Sequence, residues 1–410
     1  MSKSFKILFI MHMRWARHIG APRVSFELAE EFRALGHAVD KFDIEDALGP
    51  QKGKLAGYFH ETLFARKAIE HVRRHGAKYD VIQAEHGNLP IARRKLNFRG
   101  LLVARTNGLA HFYNDYERKM QEEDRRAGVR RGTIAGNAMR WIAARAGGGM
   151  PYVNRSFAAA DLIILSNSDE LEFVNNKLGL GHKTHLAPNG LSEARFAEFE
   201  AAAVPAAARL AKQTVAFVGG WGRRKGSAEF PQIVRGVRET LPRANFLLLG
   251  TGYGPDELLP QFAAEDRQAI RIVPSFDPAK LPSLLGSAAI GLFPSYIEGF
   301  PSGVLEMLAA GLPTVGYDVP GTRDMLRQMN EPMLVTPGDV AATANRLTDL
   351  LRRTPDNYLH LSQCARTTAA GFCWKDIARE MLDAFEQKLG TLRRTHETNL
   401  MTPLSQVGSD

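Results

Sequence analysis

At 410 residues, 44% hydrophobic and 24% charged, the chain exceeds one hydrophobic core and has ordinary globular composition, which excludes a fibrous or wholly disordered protein and makes two domains the default. A formal net charge of +9 favours an anionic partner: nucleic acid, an acidic lipid surface or a phosphorylated substrate. Two cysteines, Cys364 and Cys373, are too few for a disulfide framework and lack the partners of a zinc site.

The opening strand pattern, FKILFIMHM, is too short to span a bilayer and runs into polar residues, so neither a signal peptide nor a membrane helix is expected there. A loop holding Gly20 follows, then the helix pattern RVSFELAEEFRALGHAV, where Phe26, Leu28, Ala29, Phe32 and Leu35 recur at helical spacing and Gly36 supplies the stop. AVDKFDI is the second strand, and strand–loop–helix–strand implies a parallel pair with a right-handed crossover. Further strands are read at YDVIQA (79–84), GLLVART (100–106), ADLIILSN (160–167) and THLAPNG (184–190), with charged helical stretches between them, chiefly 112–146. Residues 1–205 thus read as a doubly wound α/β domain.

The Ala-rich stretch ARFAEFEAAAVPAAARLAKQ breaks the pattern, and a second strand series begins: TVAFVGG, ANFLLLGTG, IRIVPS, AAIGLFPS, PTVGYD and PMLVTPGD. These define a second α/β domain over 206–375. A helix over 376–395 can pack back on the first domain, and 396–410 read as a disordered tail. Ligands in open α/β sheets bind beyond the carboxyl ends of the strands, so two such sheets predict a site in the cleft between domains.

One segment concentrates chemistry there. In YIEGFPSGVLEMLAAGLP the carboxylates Glu298 and Glu306 stand eight apart around Gly299, Phe300, Pro301, Ser302 and Gly303. Glu298 falls on the loop beyond a strand, Ser302 is the expected N-cap, and Glu306 lies about one turn into the helix that Gly311 ends. Free amides at a helix start favour an anion or a sugar hydroxyl, while carboxylates accept hydrogen bonds from sugar and ribose hydroxyls. The glycines are expected to let ligand and backbone approach closely. Phosphates on the same ligand need cations, and Arg223, Arg224 and Lys225 follow TVAFVGG at that strand's carboxyl end.

On these residues the chain resembles glycosyltransferase family 4, retaining enzymes with the GT-B fold: two Rossmann-like doubly wound domains facing an interdomain cleft, with a C-terminal helix. PSYIEGFPSGVLEMLAAGLPTVGYDVPG resembles the family's donor-binding segment, FVGGWGRRKG its phosphate loop, and LLLGTGYGPDEL the next strand-turn. GAPRVSFELAEEFRALGHAV resembles the first-domain Gly-loop, with Gly20, while NRSFAAADLIILSNSDE and LAPNGLSEARF resemble the end of that domain. The resemblance implies sugar transfer from a nucleotide-diphosphate sugar, a UDP- or GDP-sugar, with retention, no cofactor and no metal. No D-x-D triplet occurs, which agrees. It implies that Glu298 contacts the transferred sugar, Glu306 the ribose, Lys225 the phosphates and the amides of 299–302 the sugar hydroxyls. Base contacts are expected near VPSFDP, at Phe276. The family's phosphate arginine falls on Gly220, so Arg223 or Arg224 is the expected substitute. Its first-domain histidine falls on Asn107, with His111 or His86 as stand-ins.

The implied acceptor is a hydroxyl of a glycan or lipid-linked molecule, in cell-surface polysaccharide or lipopolysaccharide synthesis, held by the basic first domain. Arg93, Arg94, Lys95, Arg125, Arg126, Arg130 and Arg131, with Met139, Trp141 and Ile142 in AMRWIAARA, suit an anionic membrane surface. The expected location is cytoplasmic, with a peripheral place at the inner face of the cytoplasmic membrane. No nucleic-acid partner is expected, because no recognition helix or stacking motif is read. Gly250, Gly252 and Gly254 fail the dinucleotide fingerprint, whose last glycine falls on Pro255. The alternatives of the same fold are a degenerate sugar-nucleotide-binding partner subunit and a sugar-nucleotide epimerase.

Overall fold

The computed structural model describes residues 4–17, 20–49, 56–129 and 149–401. Two six-stranded sheets organise it. The first has the order β2-β1-β3-β4-β5-β6, built from β1 (Lys6–Ile10), β2 (Ala38–Phe42), β3 (Val81–Glu85), β4 (Leu101–Arg105), β5 (Leu162–Leu165) and β6 (Thr184–Leu186). The second has the order β12-β11-β10-β7-β8-β9, from β7 (Thr214–Val218), β8 (Asn245–Leu249), β9 (Ile270–Val273), β10 (Ile290–Phe293), β11 (Thr314–Tyr317) and β12 (Leu334–Val335). Every pairing is parallel.

Parallel sheets covered on both faces need apolar residues at consecutive positions. The strands LLVAR, LIIL and IGLF meet that need and are buried along their whole length. Each sheet reverses its order beside its central strands, which opens a crevice at the carboxyl ends. The Gly- and Ser-rich segments after β7, β8, β9 and β10 fall at that edge.

The helix that opens at Gly20 (Gly20–Ala34) begins three residues earlier than its apolar periodicity indicates. The charged stretch after β4 is a helix over Ala110–Arg126; Arg130, Arg131, Met139, Trp141 and Ile142 lie outside the described residues. The Ala-rich break is two helices, Glu193–Ala201 and Ala206–Lys212. The last helix, Trp374–Met401, continues past the expected end at 395. Its residues Trp374, Ile377, Ala378, Met381, Phe385 and Leu389 join Phe5, Ile7, Leu28 and Phe32 in one first-domain cluster. The chain therefore returns to its first sheet after completing the second. At the crossing, Leu191 pairs with Cys373. Both cysteines are free.

Candidate active site

The helix carrying Glu306 is Ser302–Ala309. Its N-cap is Pro301, not Ser302 as the sequence suggested, and no side chain caps it. Proline at that place carries no side-chain acceptor, so the first amides point outward without a capping oxygen. The far end of this helix is tied down. Arg209, fully buried, donates to the carbonyls of Ala310 at 2.9 Å and Gly311 at 3.3 Å, and Ser362 donates to Gly311 at 2.7 Å. A cation on C-terminal carbonyls suits the helix dipole.

Close backbone packing accounts for the two motif glycines. A Cβ on Gly299 would stand 2.4 Å from the Asn107 carbonyl oxygen, and one on Gly303 would stand 2.4 Å from the Val218 oxygen. What they admit is therefore protein backbone: the first-domain loop in one case and the end of β7 in the other. Two asparagines of the first domain hold the same loop. Asn167 donates to the Gly299 carbonyl at 2.6 Å, and Asn189 donates to the Phe300 carbonyl at 3.2 Å. Buried Arg105 donates to the Asn189 side-chain oxygen at 3.3 Å, which turns the amide nitrogen toward the loop. Nearby, Ser168 donates to Asp324 and Arg323 pairs with Asp169 across the domains.

Glu298 and Glu306 both line one cavity of about 590 Å³ between the domains. Lys225, Arg224, Gly299, Phe300, Pro301, Ser302, Gly303, Gly20, Phe276 and Asn107 line it too. The Glu298 carboxylate, 7% exposed, accepts from Lys225 at 2.6 Å, from Arg224 at 2.8 Å and from Ser295. Burial pushes its carboxyl upward, but Lys225 and then Arg224 outweigh this and hold it below the ordinary carboxylate range. Burial in turn draws the Lys225 ammonium below its ordinary value, with Glu298 opposing. Glu306, 3% exposed, accepts from Arg23 at 2.8 Å.

Three expected residues fall elsewhere. Arg223 pairs with Glu123 at 2.8 Å and Asp124 at 2.7 Å on the Ala110–Arg126 helix, and it faces a neighbouring cavity with Tyr116 and Trp221. The phosphate-side substitution expected of Arg223 or Arg224 is thus open to Arg224 alone, because Glu123 and Asp124 have claimed Arg223. His111 bonds Asn154 at 2.9 Å and stacks on Phe157, off the carboxylate cavity. His86 lines a separate first-domain cavity of about 270 Å³ with His12, Glu61 and Asn88. Among the described residues, the one His/Glu group with metal-ligand spacing, His12, His60 and Glu61, sits by that cavity and not by the glutamate pair.

The sequence reading passed over Arg23, Tyr113 and Asn189, which also line the carboxylate cavity. Arg23 had a signal: it is a cation near the start of a helix, where the dipole disfavours one, and so needs a partner. Tyr113 lies under the Arg224 guanidinium at 5.6 Å, and burial with nearby Glu298 raises its phenol above the ordinary value. Nothing in its local sequence marks it.

Residues 212–353 match the family described as Glycosyl transferases group 1. A 2-deoxystreptamine N-acetyl-D-glucosaminyltransferase of Niallia circulans is 23% identical over 189 residues, 46% of each chain. A phosphatidyl-myo-inositol mannosyltransferase of Mycobacterium leprae is 29% identical over 180 residues, 43% of this chain and 47% of that one. The match thus spans less than half of either relative. Among solved structures, the sucrose-phosphate synthase of Thermosynechococcus elongatus superposes with TM-score 0.67 at 17% identity, covering 94% of this chain and all of that one. The Anabaena protein HepE, solved with UDP and glucose, superposes with TM-score 0.63 at 16% identity, over 93% of this chain and all of that one. The likeness read from the motifs is met in fold over nearly the whole chain, which has the GT-B frame, and in family over residues 212–353, which match the group 1 glycosyltransferases.

Proposed function

We propose that the chain is a retaining glycosyltransferase that moves a sugar from a UDP- or GDP-sugar to a hydroxyl of a glycan or lipid-linked acceptor, in cell-surface polysaccharide or lipopolysaccharide synthesis. One observation carries the reading. Both motif carboxylates line a single interdomain cavity together with Lys225, Arg224 and an uncapped helix start. A diphosphate flanked by sugar and ribose matches that sequence of cations, amides and carboxylates.

In this reading the diphosphate rests on Lys225, Arg224 and the Ser302 and Gly303 amides. Glu298 orients the sugar through its hydroxyls, and Glu306 accepts from the ribose. The bond between the anomeric carbon and the diphosphate oxygen breaks, leaving an oxocarbenium-like sugar. The acceptor oxygen bonds the same face of that carbon, and its proton passes to the departing phosphate oxygen. Glu298 orients the sugar and does not attack it: Lys225, Arg224 and Ser295 all converge on Oε1, which leaves Oε2 for the sugar hydroxyls. The base lies against Phe276, which lines the same cavity.

Residues 1–205 are assigned to the acceptor and 206–375 to the donor. No described helix is long and apolar enough to cross a membrane; a peripheral place at the inner membrane face is part of the proposal. A second reading, a sugar-nucleotide-binding partner without transfer, draws on Gly220, which brings no cation to the cavity it lines, and on Asn107, which carries no proton at neutral pH. Calorimetric titration with UDP, GDP and ADP, on wild type and Glu306→Ala, tests the donor site. Selective binding of one nucleotide, weakened by the substitution, supports it; no binding by wild type refutes it. Binding without transfer to any acceptor tried favours the partner subunit.

A further inference from the structure

We infer that Arg23 of the first domain is a positioning residue for Glu306, so that the nucleotide site is complete only with the two domains apposed. The inference rests on the reading of Glu306 as the ribose ligand.

Glu306 is 3% exposed, and burying a carboxylate is costly unless a cation or hydrogen-bond donor partners it. Its own domain does not supply the closest cation. Arg23, on the Gly20–Ala34 helix, donates from Nη1 to Glu306 Oε1 at 2.8 Å and from Nε to Glu27 Oε1 at 2.7 Å. Glu306, ahead of the opposing effect of burial, raises the Arg23 guanidinium above its ordinary value. Arg195, from the helix that follows β6, adds a second cation at 3.9 Å from the same oxygen and donates to the Pro278 carbonyl at 2.6 Å.

Three features argue for a role beyond joining the domains. Arg23 and Glu306 both line the cavity that holds the other motif residues. Both arginine contacts fall on Oε1, which leaves Oε2 for a hydroxyl. The guanidinium is itself held: Trp374, fully buried at the start of the last helix, donates from Nε1 to Glu27 Oε2 at 2.9 Å. The returning helix thus fixes Glu27, Glu27 fixes Arg23, and Arg23 fixes the carboxylate. A fork donor bonding two carboxylates at once is a task for arginine, since a lysine ammonium is a point charge without that geometry. Domain contact is already provided elsewhere by Ser168 with Asp324 and Arg323 with Asp169.

The test is a double-mutant cycle on nucleotide affinity, read by calorimetry with UDP and GDP and with their deoxyribose counterparts. Arg23→Met is expected to weaken binding of the ribonucleotide roughly 10- to 100-fold, within the range of coupling between residues of one ion-pair network. Arg23→Lys falls between it and wild type and covers the case in which Arg23→Met does not fold. In a Glu306→Gln background, or with the deoxyribose nucleotide, Arg23 substitution is expected to change affinity less than about twofold. With donor turnover as the readout, KM rises and kcat changes little. Equal losses from Arg23 substitution in both backgrounds, or with both sugars, would overturn the inference while leaving the donor site standing. Failure of wild type to bind either nucleotide overturns the donor-site reading and the inference together.

Discussion

Glu298→Gln separates orientation of the sugar from retention of the nucleotide. The substitution keeps the shape and removes the charge, leaving Lys225 and Arg224 without the carboxylate they now share at 2.6 and 2.8 Å. Breaking a buried ion pair costs about 3–5 kcal/mol when nothing else compensates. Here the Lys225 and Arg224 side chains are 15% and 35% exposed and reach solvent through the cavity, so about 2 kcal/mol is expected. That corresponds to a fall in Tm of roughly 4–8 °C for a domain of this size. Lys225, released from Glu298, turns wholly to the diphosphate, so nucleotide affinity is retained or rises. Transfer depends on the orientation that the carboxylate imposes and falls about 100- to 1,000-fold, the range for losing one preorganised polar group at the reacting centre. The assay is release of nucleotide from the donor in the presence of acceptor, beside calorimetry with the same nucleotide. Unchanged transfer would refute the orienting role, and loss of nucleotide binding in parallel with transfer would reduce Glu298 to a binding group. The pH dependence follows from the depressed carboxyl of Glu298: its stabilising contribution is present above the unfolded value of 4.5 and is lost as pH falls below it. The difference in stability between wild type and Glu298→Gln is therefore constant near neutrality and shrinks on acidification through that range.

Further outcomes divide the loop residues. Arg224→Ala is expected to weaken nucleotide binding about 10-fold, whereas Arg223→Ala, whose partners are Glu123 and Asp124, leaves it within about twofold; equal losses by calorimetry would contradict the assignment. Gly220→Arg adds a cation to the cavity wall at a position where a Cβ meets nothing within 4 Å, so tighter nucleotide binding by roughly 3- to 10-fold is expected, and weaker binding in the titration counts against a diphosphate there. Gly299→Ala places a methyl 2.4 Å from the Asn107 carbonyl oxygen, costing about 1–3 kcal/mol as overpacking; small-angle scattering should show a larger radius of gyration than wild type. An unchanged radius with full transfer would mean that the contact between the domains yields without consequence.

The strands and the order in which they occur were legible in the sequence because buried parallel strands are short apolar runs bounded by Gly, Ser, Pro or Asp. IGLF and LIIL have no alternation to mislead, and both are strands where they were expected. The glutamate pair was legible for a similar reason, since its spacing, glycines and helix start are all local. Helix beginnings were less so. The Gly20 helix starts before its periodic residues do, and Pro301 takes the N-cap position expected of Ser302, because backbone geometry sets a cap and composition only biases it. Arg223 and Arg224 are adjacent and alike in sequence. One turns to the acids of a helix about 100 residues away and the other to Glu298, a choice that no local pattern encodes.

By itself the sequence determined which segments are strands and helices, and where the loops that carry Glu298, Glu306 and Lys225 to the candidate site fall, because each of these is written in short-range pattern. Only the tertiary structure decided which side chains complete that site from the other domain. Arg23 lies 283 positions from Glu306, and Trp374 lies 347 from Glu27; the first meeting joins the two domains, and the second follows from the return of the last helix to the first sheet. Long-range charge pairs and backbone approaches of this kind are fixed by how folded elements dock, and a linear chain carries no local trace of them.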